Sequence, residues 1–227
     1  MKKIIFGIFA HPDDEAFGPS GTLLLETKAG TELHLISLTA GQNGTNPNNL
    51  NNLKEVRLQE WEEAARLIGA TKTYHLGFID GHLDNIAMIE ASKQIEDIIH
   101  ATVTDNDQVE VEFMTIDPNG ISGHIDHIVA SRAASFVFFR QKVADTRFTR
   151  IRYACISEIQ NPTIRTDWLY MDAGRTQAEI TETVDARSLK EEITAIMRCH
   201  VTQTSDCEAA LSRMGANLGI NHFITKS

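Results

Sequence analysis

The chain has 227 residues, 42% of them hydrophobic, with 31 acidic against 21 basic side chains and a formal net charge of -10. That length fills the core of one domain, taken as residues 1–227, and the acidic balance, with no clustered Lys/Arg stripe, argues against nucleic acid as a partner. No apolar run approaches the ~20 residues that span a bilayer, and Met1-Lys2-Lys3 followed by Ile4–Ala10 is too short a run for an export signal, so a cytoplasmic protein with a small-molecule partner is expected.

The first predicted element, Lys3–Ala10, is a buried strand that runs directly into His11-Pro12-Asp13-Asp14-Glu15. A helix over Gly21–Lys28 closes at Gly30, and Glu32–Leu38 forms a second strand. The asparagine-rich stretch 43–49 reads equally as a lid over sugar hydroxyls or as a plain solvated loop. Leu53–Leu67 is an amphipathic helix ended by Gly69, Thr73–Leu76 a third strand before an Asp80-Gly81 turn, and Ile86–Val103 a helix. Val109–Ile116 is the fourth strand. Asp117-Pro118-Asn119-Gly120 then breaks the chain ahead of Gly123-His124-Ile125-Asp126-His127. A helix follows from about His127 through Val143, with Phe136, Phe138 and Phe139 packing against the sheet or a subunit neighbour, which leaves a homo-oligomer open. Arg152–Ile156 and Trp168–Met171 are read as strands, and a last helix runs from Asp185 to about His200 with Ile193, Ile196 and Met197 on one face. This alternation predicts an α/β fold, Rossmann-like, with three layers and a mostly parallel sheet.

Imidazoles and carboxylates without thiolates suit catalytic zinc, which takes three protein ligands and keeps one open position; such sites also accept Fe2+ or Co2+. His11, Asp14 and His127 fit that count. Asp13, adjacent to a ligand, is placed to take a proton, and His124 to donate one or to stabilise an oxyanion. Asp126 is expected to orient the His124 imidazole. In a parallel sheet the carboxyl ends of strands one and four gather at one edge, so two clusters a hundred residues apart can meet there. The three cysteines, Cys155, Cys199 and Cys207, form no Cys-x-x-Cys pair and read as reduced thiols, Cys155 as core.

At these residues the chain resembles the LmbE-like, or PIG-L, zinc-dependent deacetylases: Ala10-His11-Pro12-Asp13-Asp14-Glu15 and His124-Ile125-Asp126-His127 are similar to that family's two signatures. Gly21-Thr22-Leu23, Leu38-Thr39-Ala40-Gly41, Arg57 with Glu60, Asp80-Gly81-His82-Leu83 and His200-Val201-Thr202-Gln203 resemble its lesser landmarks in order. The resemblance implies removal of the N-acetyl group from a small N-acetylglucosaminyl substrate by attack of zinc-bound water. It implies His11, Asp14 and His127 as zinc ligands, Asp13 as general base, His124 as the acid or electrophilic histidine, and Arg57 and Asp80 as substrate contacts. The chain departs from the family at Gln42, where a Glu is frequent, and near the second motif, where Ile121, Ser122 and Gly123 stand in place of an auxiliary Tyr or Arg. Two other classes compete: a phosphoesterase using Asp13, Asp14, Asp126 and two hard cations, and a non-catalytic metal- or sugar-binding module.

Overall fold

The computed structural model of the chain describes residues 2–104, 108–166 and 169–227. Its first half alternates strand and helix. β1 (Lys2–Phe9) leads through the short α1 (Asp14–Phe17) and α2 (Ser20–Lys28) to β2 (Glu32–Thr39); α3 (Leu53–Ile68) leads to β3 (Lys72–Phe78), and α4 (Asn85–Thr102) to β4 (Val109–Ile116). Then come α5 (Ile125–Ala144), β5 (Phe148–Cys155), β6 (Glu182–Asp185), α6 (Lys190–Met197), α7 (Thr204–Met214) and β7 (Ile220–Lys226). The strands form one sheet in the order β3-β2-β1-β4-β5-β7-β6. The first five are parallel, whereas β7 is antiparallel to both β5 and β6.

Alternation along β1 builds both faces of this sheet, because successive side chains point to opposite sides. Ile4, Phe6 and Ile8 pack with Phe113, Tyr153, Ala91, Ile95, Val137 and Phe138 beneath α4 and α5. Ile5 and Phe9 pack with Leu35, Met114, Leu23, Trp61, Ile68 and Ile196 beneath α2, α3 and α6. The result is the three-layer fold expected from the strand and helix alternation. Phe113 is fully buried and its ring meets Phe6 at 5.8 Å, Phe138 at 5.5 Å and Phe148 at 6.1 Å. Phe113→Ala is therefore expected to lower unfolding stability by about 3–5 kcal/mol, read from denaturant midpoints.

Several boundaries differ from the sequence reading. Asp185 ends β6 rather than starting a helix, and helical structure begins only after it, with a 3-10 turn at Arg187–Leu189 followed by α6. Of the predicted strand Trp168–Met171, Trp168 lies outside the described residues, and Met171 makes one isolated bridge to Arg165. Phe138 is buried against the sheet as expected, but Phe136 and Phe139 are 48% and 39% exposed. Among the described residues, no helix is long and apolar enough to cross a membrane.

The chain builds β1, β2 and β3 outward in one direction, then returns to place β4 on the other side of β1. This reversal opens a crevice at the carboxyl ends of β1 and β4, the usual ligand position in open α/β sheets. Both charged motifs follow those two strand ends.

Candidate metal centre and active site

His11 leaves the end of β1, and the chain then turns through Asp13, whose φ of 115° is rare for a residue with a side chain. Asp14 holds that turn: its Oδ2 accepts the backbone N–H groups of Ala10 and His11 at 3.1 and 3.0 Å. On the β4 side the turn after Asp117 carries three left-handed residues, Gly120, Ile121 and Gly123, before His124 caps α5. Gly120 has no room for a Cβ, which would fall 2.9 Å from Ile128 Cγ1 and 3.0 Å from the His124 carbonyl.

These two turns bring three ligand atoms together. His11 Nδ1 lies 3.1 Å from His127 Nε2, which lies 3.2 Å from Asp14 Oδ1; His11 Nδ1 is 3.8 Å from Asp14 Oδ2. Ligands about 2.0–2.2 Å from a tetrahedral zinc would stand roughly 3.3–3.5 Å apart; the His11–His127 and His127–Asp14 separations are close to that, and one ligand atom from each of the three residues lies within 4.8 Å of the other two. The opposite ring nitrogens are engaged as well. His127 Nδ1 donates to the Gly120 carbonyl at 3.0 Å, while His11 Nε2 faces Asp80 Oδ1 at 3.0 Å and Asp126 Oδ2 at 3.4 Å. In the neutral form that a metal would require, each imidazole would carry its proton on the nitrogen facing these partners and turn a lone pair into the triangle.

This geometry corrects one sequence expectation, the pairing of Asp126 with His124, and gives Asp80 and Arg57, which line the cavity, protein partners of their own. The Asp126 carboxylate does not orient His124; it faces His11 and accepts the Gly81 and Leu83 amides at 2.7 and 3.2 Å. His124 Nδ1 instead accepts the Asp126 backbone N–H at 3.2 Å, which leaves the neutral ring's proton on Nε2. Asp80, expected to contact substrate, is buried with Oδ1 on His11 and Oδ2 accepting the Asn43 amide at 3.1 Å. Arg57, also expected to contact substrate, is buried and donates to the Gly41 and Pro12 carbonyls, each at 2.7 Å, and to Asp13 Oδ2 at 2.9 Å. A Cβ on Gly41 or Gly44 would collide with the Arg57 guanidinium. Glycine at both positions makes room for the cation behind Asp13.

The electrostatics follow from burial and from these partners. Burial raises Asp13 to about 6, with Asp14 adding to the rise and Arg57 partly offsetting it. Burial would raise Asp14 too, but His127 and His11 outweigh it and hold the carboxyl well below the usual range. Burial acts against a cationic His11, yet Asp126, Asp80 and Asp14 bring it up to about 10. His124 moves the other way, pushed down by burial and then by the positive charge of His11 and His127. It is the neutral imidazole of the cluster.

Other residues support the site, some from the sequence motifs and some, such as Asp117 with Arg175, from outside them. Glu15 and His200 are fully buried against each other at 3.4 Å, and Glu15 Oε2 accepts the Asp13 amide at 3.3 Å, bracing the strained turn. Arg175 forks onto the buried Asp117 at 2.7 and 2.6 Å, fixing the turn that presents the Gly120 carbonyl. The asparagine-rich loop is tied down by Asn43 Nδ2 on the Asp80 carbonyl at 2.7 Å and by Gln203 Nε2 on the Thr45 carbonyl at 2.9 Å. Its residues Asn43, Gly44 and Thr45 form part of the wall of a cavity of about 800 Å³, which also takes in His11, Asp13, Asp14, His124 and His127. Asp80→Ala is expected to weaken metal binding about 10- to 100-fold by freeing the His11 ring, as measured by competition with a chromogenic chelator.

Comparison with known proteins adds a lineage to this geometry. Residues 6–138 match the family described as PIG-L: GlcNAc-PI de-N-acetylase. The chain is 26% identical to a mycothiol S-conjugate amidase of Streptomyces coelicolor over 63% of this chain and 53% of that protein, so the match spans about half of that relative's length. It is 26% identical to a 1D-myo-inositol 2-acetamido-2-deoxy-alpha-D-glucopyranoside deacetylase of Saccharomonospora viridis, over 89% of this chain and 87% of that one. Among solved structures, N,N'-diacetylchitobiose deacetylase from Pyrococcus horikoshii superposes with a TM-score of 0.69 at 21% identity, covering 99% of this chain and 83% of its own. That likeness is one of fold.

Proposed function

Because the chain belongs to the PIG-L family, whose match covers more than half of its length, we propose that it is a zinc-dependent amidohydrolase that removes the N-acetyl group from a small N-acetylglucosaminyl compound. The observation that carries the reading is the triangle of His11 Nδ1, His127 Nε2 and Asp14 Oδ1, with Arg57-held Asp13 and neutral His124 on the same cavity. A zinc ion held by those three residues would polarise the amide carbonyl and bring the pKa of a water to near neutrality.

The chain's own groups supply the proton traffic. Asp13, a carboxylate fixed by Arg57, takes the proton of the attacking water and returns it to the departing amine. His124, with its proton on Nε2, donates a hydrogen bond to the carbonyl oxygen as negative charge develops there. Asp80, Asp126 and the Gly120 carbonyl hold the two ligand imidazoles in the tautomer that offers a lone pair to the metal. The products are acetate and a free amine. The substrate class is supported by what the Saccharomonospora and Pyrococcus proteins are named for: both names contain an N-acetylated glucosamine unit and differ beyond it.

A phosphoesterase would use a second hard-cation site. The other His-and-Asp grouping among the described residues, His11, His124 and Asp126, shares His11 with the first, and its Asp126 already accepts two backbone amides. This favours a single metal. Acetate release should be followed across methyl N-acetylglucosaminide, diacetylchitobiose and an inositol glycoside of N-acetylglucosamine. Acetate and free amine in equal amounts from at least one of them is the expected result; no release from any would overturn the substrate class.

A further inference from the structure

Asp13 stands at φ 115°, a backbone conformation unfavourable for a residue with a side chain and kept only where its surroundings over-determine it. Two buried groups hold it. Arg57, on α3, donates to the Pro12 carbonyl at 2.7 Å and to the Asp13 carboxylate at 2.9 Å. Glu15 Oε2 accepts the Asp13 amide at 3.3 Å. The first contact is a guanidinium beside a carboxylate; the second comes from a buried carboxylate whose own partner lies near the other end of the chain.

That partner is His200. Its Nε2 lies 3.4 Å from Glu15 Oε1, both residues are buried, and neither ring nitrogen completes a hydrogen bond among the described residues. The Phe17 ring meets the imidazole edge-on at 5.8 Å. Neither Glu15 nor His200 is part of the cavity wall, so both act from behind it. A buried ion pair of this kind returns little stability after both groups have left water, whereas removing one partner strands the other. His200 is itself held. The 3-10 turn Val201–Gln203 follows it, and Glu60 accepts the Thr202 amide at 2.8 Å and the Thr202 hydroxyl at 2.6 Å. Glu60 stands three residues beyond Arg57 on α3, on the same side of the helix. One helix therefore anchors both the carboxylate of Asp13 and the turn that carries His200.

We propose that His200 is a positioning residue for the reaction: through Glu15 it fixes the backbone of Asp13 and so aims that carboxylate into the cavity. The proposal rests on the reading of Asp13 as the base and adds what holds the base in place. A reacting group displaced by about 1 Å can lose about a hundredfold in rate. The three metal ligands keep their own partners, so the loss should fall on kcat.

The variants are His200→Leu, which strands Glu15, and His200→Gln, whose amide restores a donor near the place of Nε2. His200→Leu should lower kcat for acetate release about 10- to 100-fold, with KM within about twofold and the metal retained, and His200→Gln should recover most of the loss. In the Asp13→Asn background His200→Leu should cost little more, because it acts through Asp13. The peptide holding the Asp13 amide should also exchange deuterium faster in His200→Leu than in wild type. An unchanged kcat, or an equal loss in the Asp13→Asn background, would overturn the proposal. Should His200→Leu not fold, His200→Asn, whose shorter amide falls short of Glu15, gives the same readings. If Asp13→Asn keeps full kcat, the base reading fails separately, and deuterium exchange still decides: faster exchange at Asp13 supports the brace, and an unchanged rate overturns it.

Discussion

Asp13→Asn is expected to lower kcat for acetate release by about a hundred- to ten-thousand-fold while the metal stays bound. The replacement keeps size and removes the proton acceptor. Asn also tolerates left-handed backbone better than most residues, so the turn at φ 115° should survive, and the Asn Oδ1 can still accept from Arg57. None of the three converging ligand atoms belongs to residue 13. Loss should therefore fall on kcat, with metal content by elemental analysis equal to wild type. An unchanged kcat would remove Asp13 as the base.

His127→Ala should be more severe for a different reason. It removes one of three ligands and strips the buried Asp14 carboxylate of the partner 3.2 Å away that holds its pKa down. Metal content after dialysis is expected to fall from about one per chain to a small fraction, with activity down about a thousandfold or more. Chelator-treated wild type should lose activity similarly and regain it when zinc is returned, whereas His127→Ala should not regain it. Recovery of the variant at stoichiometric zinc would show that His127 is not a ligand.

The fold was legible in the sequence wherever the signal was local. β1, β2 and β4 are apolar runs ended by turn residues, and both motifs sit where those runs stop. The far side of the sheet was not legible. β7 carries Asn221 and His222 at its start because those residues line the cavity, which breaks the pattern a strand is recognised by, and β6 pairs with it from about 40 residues away. The ligand set was readable because His11, Asp14 and His127 lie within short motifs. Their supports were not. Which imidazole the Asp126 carboxylate meets depends on how β1 and α5 are brought together, and the three acceptors of Arg57 come from two separate loops that no spacing rule connects. Asp80 and Arg57 were expected to contact substrate from the resemblance alone; both line the cavity, and both also bind protein groups, His11 and Asp13, that no sequence spacing connects to them.

The most direct test of the central claim is to titrate zinc into metal-stripped protein while following acetate release from an N-acetylglucosaminide that the protein accepts. Activity should rise from near zero and level off at one equivalent, with Asp13→Asn taking up the same equivalent and releasing little acetate. Full activity without metal, or a rise that continues to two equivalents, would contradict a single-metal site built on His11, Asp14 and His127.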